Sequence, residues 1–278
     1  MLEIIHQLSK ATRFISSPMR VLPNFIIIGA QRSGTTYLYN LLKFHPSVLP
    51  AFRKEVHFFD KNYHRGLAWY KAHFPTIIEK IINNSTNSCR TITGEASPYY
   101  LFHPHAPERI RDLLPEVKLI ALLRNPTDRA FSHYHFAVEK QAESRPFLQA
   151  IKEEKEMLKK ETDKVMNDPH HLSFLHQMHS YLTRGLYAEQ LRAWYRLFTK
   201  QKIHIILSED LFEDPQLVFN NLYKFLSISQ IDITLSQEKV NKVNYDKMDA
   251  VTRKLLTKFY RPFNRDLEKL TGISINWD

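Results

Sequence analysis

From Phe25 to Gly29 the chain reads Phe-Ile-Ile-Ile-Gly with no polar interruption, the pattern of a strand buried on both faces. The period then changes. Tyr37, Leu38, Leu41 and Leu42 recur at helical spacing over Thr35–Phe44, and His45-Pro46 stops the run. A turn bounded by Gly29 and Gly34 joins the two, and strand, glycine-bounded turn and helix make the first unit of a parallel sheet. Further strands are predicted at Ser47–Phe52, Arg90–Gly94, Val117–Leu123 and Lys202–Leu207. Helical periodicity falls between them, around Gly66–His73, Ala106–Leu114, Thr127–Lys140 and Ala188–Phe198. The alternation predicts an α/β fold, a single domain with a central parallel β-sheet flanked by helices. Residues 152–164 mix acids and bases and read as a solvated helix with internal ion pairs, an insertion. Met248–Leu270 reads as a basic amphipathic helix packed on the domain. Leu2, Ile4, Ile5, Leu8, Phe14 and Ile15 predict an amphipathic N-terminal helix docked on the body, with peripheral membrane contact left open.

Composition narrows the class. With 278 residues, 43% hydrophobic and 24% charged, the chain has an ordinary globular profile, neither low-complexity nor disordered. No apolar run approaches the ~20 residues of a membrane span, so no transmembrane segment is expected. Glu3 and His6 interrupt the first apolar stretch, which therefore does not read as a secretory signal. The single cysteine, Cys89, excludes an intrachain disulfide, and together these features predict a soluble, cytoplasmic protein. Asn83 and Asn84 lie in glycosylation sequons, read without secretion as chance matches. A net charge of +10, from 39 bases against 29 acids, points to an anionic partner such as nucleic acid, a lipid surface or anionic small molecules and glycans. Charge for solubility alone is the other reading.

The turn supplies sharper chemistry. Gly-Ala-Gln-Arg-Ser-Gly-Thr-Thr (Gly29 to Thr36) offers backbone N–H groups and a helix N-terminus as a cradle for phosphate or sulfate oxygens. Its glycine spacing is that of a nucleotide P-loop, but Thr35 stands where that motif demands lysine, and the cation is Arg32. The strand at 117–123 ends in Arg124, then Asn125-Pro126, where a Mg²⁺-dependent kinase or ATPase would place a carboxylate. Arg124 and Ser132, eight residues on, read as a second, metal-free anion site. In Lys54-Glu55-Val56-His57-Phe58-Phe59-Asp60, an extended backbone puts Glu55 and His57 on one face, a pair suited to general-base work. A surface glutamate and a packed histidine is the competing reading.

Taken together with Arg184-Gly185-Leu186-Tyr187, these motifs resemble the sulfotransferase family, most closely the heparan sulfate amino- and 3-O-sulfotransferase branch. The resemblance runs in order from about residue 23 to 270 and implies a P-loop-like nucleotide-binding fold. It divides the chain into an extension, 1–22, and a sulfotransferase domain, 23–278, with 141–182 as a variable acceptor-side insertion. It implies transfer of a sulfuryl group from 3′-phosphoadenosine 5′-phosphosulfate (PAPS) to a hydroxyl or amine, a carbohydrate one being the first expectation. The product would be adenosine 3′,5′-bisphosphate (PAP), and no metal is implied. Carried over residue by residue, Arg32, Ser33, Gly34, Thr35 and Thr36 would hold the 5′-phosphosulfate, and Arg124 and Ser132 the 3′-phosphate. Lys242 and Tyr245 would close over the adenylate, with Tyr187 nearby. Glu55 would be the base, His57 its partner, Arg32 the cation at the reaction centre, and His135 and Ser97 accessory groups toward the acceptor.

Three departures stand out. The glycan enzymes carry a lysine where this chain has Ala96, their disulfide is impossible with one cysteine, and their late glycine-rich lysine loop reads here as Asn244-Tyr245-Asp246-Lys247. With no anchor, a soluble bacterial relative is expected. Its acceptor could be a glycan, a lipid or a small metabolite, and its oligomeric state is not encoded in any visible motif. The histidines at 170, 171, 176 and 179 lie in a polar insertion and read as acceptor-cleft or surface histidines rather than a metal site, which would need a carboxylate or a third histidine on fixed elements. Two other classes stay open: a glycan- or nucleic-acid-binding protein without catalysis, and a divergent P-loop kinase. RNA binding would need exposed stacking aromatics in a recognisable module, and none is apparent, so nucleic acid is not the expected partner.

Overall fold

The uninterrupted apolar run at 25–29 exists because both faces of its strand are covered. A computed structural model of the protein describes residues 10–87, 90–233 and 246–277. Cys89, Lys242 and Tyr245 lie outside the described residues. The strands β1 (Phe25–Gly29), β2 (Val48–Pro50), β3 (Ile92–Ala96), β4 (Lys118–Leu123) and β5 (Ile203–Leu207) form one parallel sheet in the order β2-β3-β1-β4-β5. β1 is central, with Ile26 opposite Glu95 of β3 and Leu119 of β4. Its side chains alternate between two layers. Ile26 and Ile28 join Leu119, Ala121, Leu123, Tyr187 and Trp194 on one face. Phe25 and Ile27 join Ile120, Leu122, Leu38, Leu42 and Leu222 on the other.

Helices fill those layers. In chain order they are α1 (Thr35–Leu42), α2 (Gly66–Lys71), α3 (Ile77–Asn87), α4 (Ala106–Leu113), α5 (Pro126–Glu139), α6 (Phe147–Asn167), α7 (Phe174–Met178), α8 (Tyr187–Tyr195), α9 (Ser208–Glu213), α10 (Pro215–Leu226) and α11 (Ala250–Thr271). The start of α5 is fixed locally: Asn125 Oδ1 accepts the Thr127 N–H at 2.9 Å, and Pro126 occupies the first helical position.

Several expectations shift. β3 begins at Ile92 and runs on to Ala96, which draws Glu95 into the sheet. α3 and α10 are helices the periodicity did not single out, and the isoleucines of α3 at 77, 78, 81 and 82 stay exposed. The stretch 152–164 lies within the longer α6, which is not wholly solvated: Ile151, Glu154, Leu158 and Val165 are buried, and the Glu154 carboxylate accepts the N–H groups of Leu182 and Thr183. Residues 10–15 are helical with Phe14 and Ile15 exposed, while the apolar positions at 2–8 lie outside the described residues. No helix among the described residues is long and apolar enough to cross a membrane.

Candidate active site

In a parallel sheet the carboxyl ends of the strands share one edge, and the connections leaving β1, β3 and β4 converge there. The connection after β1 is pinned from two sides. The Ala30 N–H donates to the Leu122 carbonyl at 2.7 Å, and Ser208 Oγ donates to the Ser33 carbonyl at 2.6 Å. Gly34, just before α1, has φ of 96°, and a Cβ there would meet the Phe212 ring at 3.3 Å. Arg32 is also left-handed, with φ of 69°, a conformation that costs a non-glycine residue about 1–3 kcal/mol and survives where the surroundings enforce it. The first-turn N–H groups of α1, at Thr35 and Thr36, have no intrahelical acceptor and face an anion with the favourable end of the helix dipole.

Two guanidinium groups join this loop. Arg32 Nε donates to Ser132 Oγ at 3.1 Å, and Arg124 Nη1 donates to the Arg32 carbonyl at 3.2 Å. The sequence separates Arg32 from the Arg124–Ser132 pair; the fold joins them, because the long Arg32 side chain crosses to α5 and lies over the Phe136 ring. Tyr187 is buried and donates to the Arg124 carbonyl at 2.9 Å, so it supports the cluster from behind. Next to it, a Cβ at Gly185 would lie 2.7 Å from the Tyr260 ring and 2.9 Å from Pro126, so this glycine lets the start of α5 and α11 close together. The buried Arg184 reaches Gln31 of the loop. Guanidinium groups, hydroxyls and free N–H groups are a donor set suited to sulfate and phosphate oxygens.

The segment carrying Glu55 is not a strand. His57 turns left-handed at φ of 54°, and a helical turn of π type follows over Phe58–Asn62. Glu55 and His57 meet all the same, with Oε2 and Nε2 3.2 Å apart. The other ring nitrogen, Nδ1, lies 2.6 Å from Asp60 Oδ2, whose side chain is fully buried. Lys54 Nζ contacts Glu55 Oε1 at 2.7 Å and donates to Thr36 Oγ1 at 2.6 Å. Burial works against the Glu55 charge, but the His57 hydrogen bond and Lys54 outweigh it and hold the carboxyl at about 2. Burial likewise opposes the His57 charge, and the bonds to Asp60 and Glu55 outweigh it, raising the imidazole to about 9. The result is an imidazolium between two carboxylates, with a lysine ammonium on the outer one.

Beneath this row sits Glu95. Its fully buried carboxyl, pushed up to about 7 by burial, accepts from Tyr70 at 2.8 Å, Ser97 at 2.7 Å and the Val56 N–H at 3.3 Å. Ser97 Oγ in turn accepts the His57 N–H at 3.0 Å, and Tyr100 accepts the Phe58 N–H at 2.7 Å. Ser97, expected toward the acceptor, is therefore enclosed, its hydroxyl engaged in holding the left-handed turn at His57. Ala96 is also enclosed, under α1, but its N–H donates to the Lys54 carbonyl at 3.0 Å.

Asp60, Lys54 and Glu95 escaped the sequence reading. Asp60 and Lys54 lie inside the motif that names Glu55 and His57, yet a left-handed turn has no period to expose them. His135 packs edge-on against Phe131 and Tyr134 and does not line the cavity over Glu55. His176 stacks on Phe102 and pairs with Tyr99, and His179 lies 3.3 Å from Glu143. Among the described residues no group of three metal-ligating side chains is assembled.

Over Glu55 and His57 opens a cavity of about 350 Å³, walled by Pro98, Tyr99, Phe136, Phe174 and Met178. The sulfotransferase domain family matches residues 22–265 of the chain. The membrane-associated sulfotransferase kil1 of Dictyostelium discoideum is 28% identical over 95% of this chain and 68% of its own. Mouse heparan sulfate glucosamine 3-O-sulfotransferase 3A1 is 29% identical over 92% of this chain and 65% of its own, so the chain spans about two thirds of these relatives. A solved sulfotransferase structure from Alicyclobacillus acidocaldarius superposes with a TM-score of 0.69 at 28% identity, covering 92% of this chain and 98% of that one.

Proposed function

The chain belongs to the sulfotransferase family, PAPS-dependent enzymes, and we propose that it moves the sulfuryl group of PAPS onto an acceptor hydroxyl or amine, with Glu55 as the base. The observation that carries this assignment is the row Lys54–Glu55–His57–Asp60, bonded through Thr36 to the helix that ends the glycine loop. Glu55 takes the acceptor proton as the new S–O bond forms. A carboxylate held near 2 is a weak base while Lys54 grips it. Lys54 turning toward the charge that grows on the departing phosphate strengthens the base as the leaving group needs the cation. Arg32 and the N–H groups of Ser33 to Thr36 share that stabilisation. Arg124 and Ser132 hold the 3′-phosphate, with Lys242 and Tyr245 assigned to the adenylate side. Asp60, through His57, positions Glu55.

A binding module without catalysis would account for the +10 charge but not for an imidazolium held between two carboxylates in the lining of a cavity. A kinase reading has no carboxylate at the end of β4, where Arg124 stands. The names of the heparan sulfate relatives make a glycan one candidate acceptor, with a lipid or small metabolite the others. Thermal stabilisation tests the donor assignment: PAP should raise the melting temperature with EDTA present, and more than ATP with Mg²⁺ does. A shift that vanishes with EDTA, or a larger one with ATP and Mg²⁺, would contradict it.

A further inference from the structure

The cavity over Glu55 has walls that do not match a polyanion. Glu55 and His57 form its floor, and the Glu55 side chain is 42% exposed, so the group assigned as base can be reached from this side. Five of its walls are carbon-rich: Pro98, Tyr99, Phe136, Phe174 and Met178. Among the described lining residues there is one lysine, Lys140, and no arginine. That lysine already lies over the Phe136 ring, 5.7 Å from its centroid. Of the other cations, Lys54 is held between Glu55 and Thr36, Arg32 bonds Ser132, and Lys61 feels the charges of Asp60 and Glu55; none of the three lines the cavity. A sulfated glycan carries a negative charge on nearly every sugar and binds where arginines and lysines meet those charges. Phe174 instead leaves a large apolar side chain 60% exposed at this cavity, a surface that gains by covering an apolar partner.

We infer that the acceptor is an uncharged molecule carrying its hydroxyl or amine on an apolar or aromatic body, with the reactive group on Glu55 and the body against Phe136, Phe174 and Met178. This inference rests on the sulfuryl-transfer reading and narrows it. An aromatic or alkyl body lies flat on the rings, while its reactive polar group meets Glu55 and His57; Gln31, Gln177 and Lys140 are the other polar groups of the lining. No bonds change beyond those of the proposed reaction: the acceptor O–H or N–H breaks and Glu55 receives its proton, an S–O or S–N bond to the acceptor forms, and the bond from sulfur to the bridging phosphate oxygen of PAPS breaks, its electron pair leaving with PAP.

The test uses the full chain with PAPS and four acceptors: phenol, 2-naphthol, a neutral steroid alcohol and an N-sulfated heparosan hexasaccharide, with PAP stabilisation measured in parallel. The inference predicts that kcat/KM rises at least tenfold from phenol to 2-naphthol and exceeds that of the hexasaccharide by at least tenfold. Phe174→Ala should raise KM for 2-naphthol about tenfold with kcat within threefold, and Phe174→Leu should restore most of it; at this exposed position neither substitution removes much buried packing, and unchanged PAP stabilisation checks that both variants are folded. Preference for the hexasaccharide, with that activity lost in Lys140→Ala, would overturn the inference while leaving the donor reading intact. Turnover of none of the three neutral acceptors while PAP still stabilises the protein would overturn it as well. Failure of the underlying sulfotransferase reading looks different: PAP would not stabilise the protein at all.

Discussion

The ammonium of Lys54 lies 2.7 Å from the carboxylate of Glu55 and binds the Thr36 hydroxyl with another of its protons. One side chain thus touches both the group assigned as base and the first turn of the helix behind the anion loop. Its carbonyl accepts the N–H of Ala96, the position where the resembling glycan enzymes have their lysine. Lys54 therefore ties the Glu55 segment to the end of β3 through its backbone and to the start of α1 through its ammonium.

Lys54→Ala should therefore lower kcat by about 10²–10³, the range seen on deleting one donor to a developing oxyanion. Donor affinity should change far less, because Arg32, Arg124 and the loop N–H groups remain. Steady-state kinetics with PAP inhibition constants measures both. A kcat within threefold of the parent would assign that charge to Arg32 alone.

The row around His57 also makes stability depend on pH. Its folded pKa, about 9, lies above the ordinary 6.5, so its contribution is fully present below about pH 6.5 and is lost as pH rises through about 9. Asp60→Asn removes the nearer carboxylate and should shrink that loss and move it to lower pH. Melting temperatures from pH 5 to 10 for the two proteins check this; parallel curves would contradict it.

Arg124→Ala should weaken PAP binding about 10–100-fold, as expected for one charge-assisted contact to a phosphate. Adenosine 5′-phosphosulfate, which lacks the 3′-phosphate, should lose far less. Because Arg124 also holds the Arg32 carbonyl, equal losses for both ligands would mean that its part is to shape the loop.

Much of the fold was legible because its elements are periodic and buried. Phe25–Gly29 and Lys118–Leu123 had to be strands covered on both sides, and the helix at Thr35 begins where the glycine turn ends. Glu95 was hidden inside such a strand: nothing local distinguishes a surface glutamate from one enclosed by Tyr70, Ser97 and the Val56 N–H. Glu55 and His57 were found by assuming an extended segment, and they meet through a left-handed turn instead. The bond between Arg32 and Ser132 spans 100 residues, and no spacing in the sequence encodes it.

The central claim is that Glu55 takes the acceptor proton in a transfer from PAPS. It is tested most directly by single-turnover transfer of labelled sulfate by Glu55→Gln, with PAP affinity measured on the same preparation. The account predicts a rate lower by about 10²–10⁴ and PAP affinity within threefold of the parent. A near-parental rate, or a loss of PAP affinity in step with the rate, would contradict it.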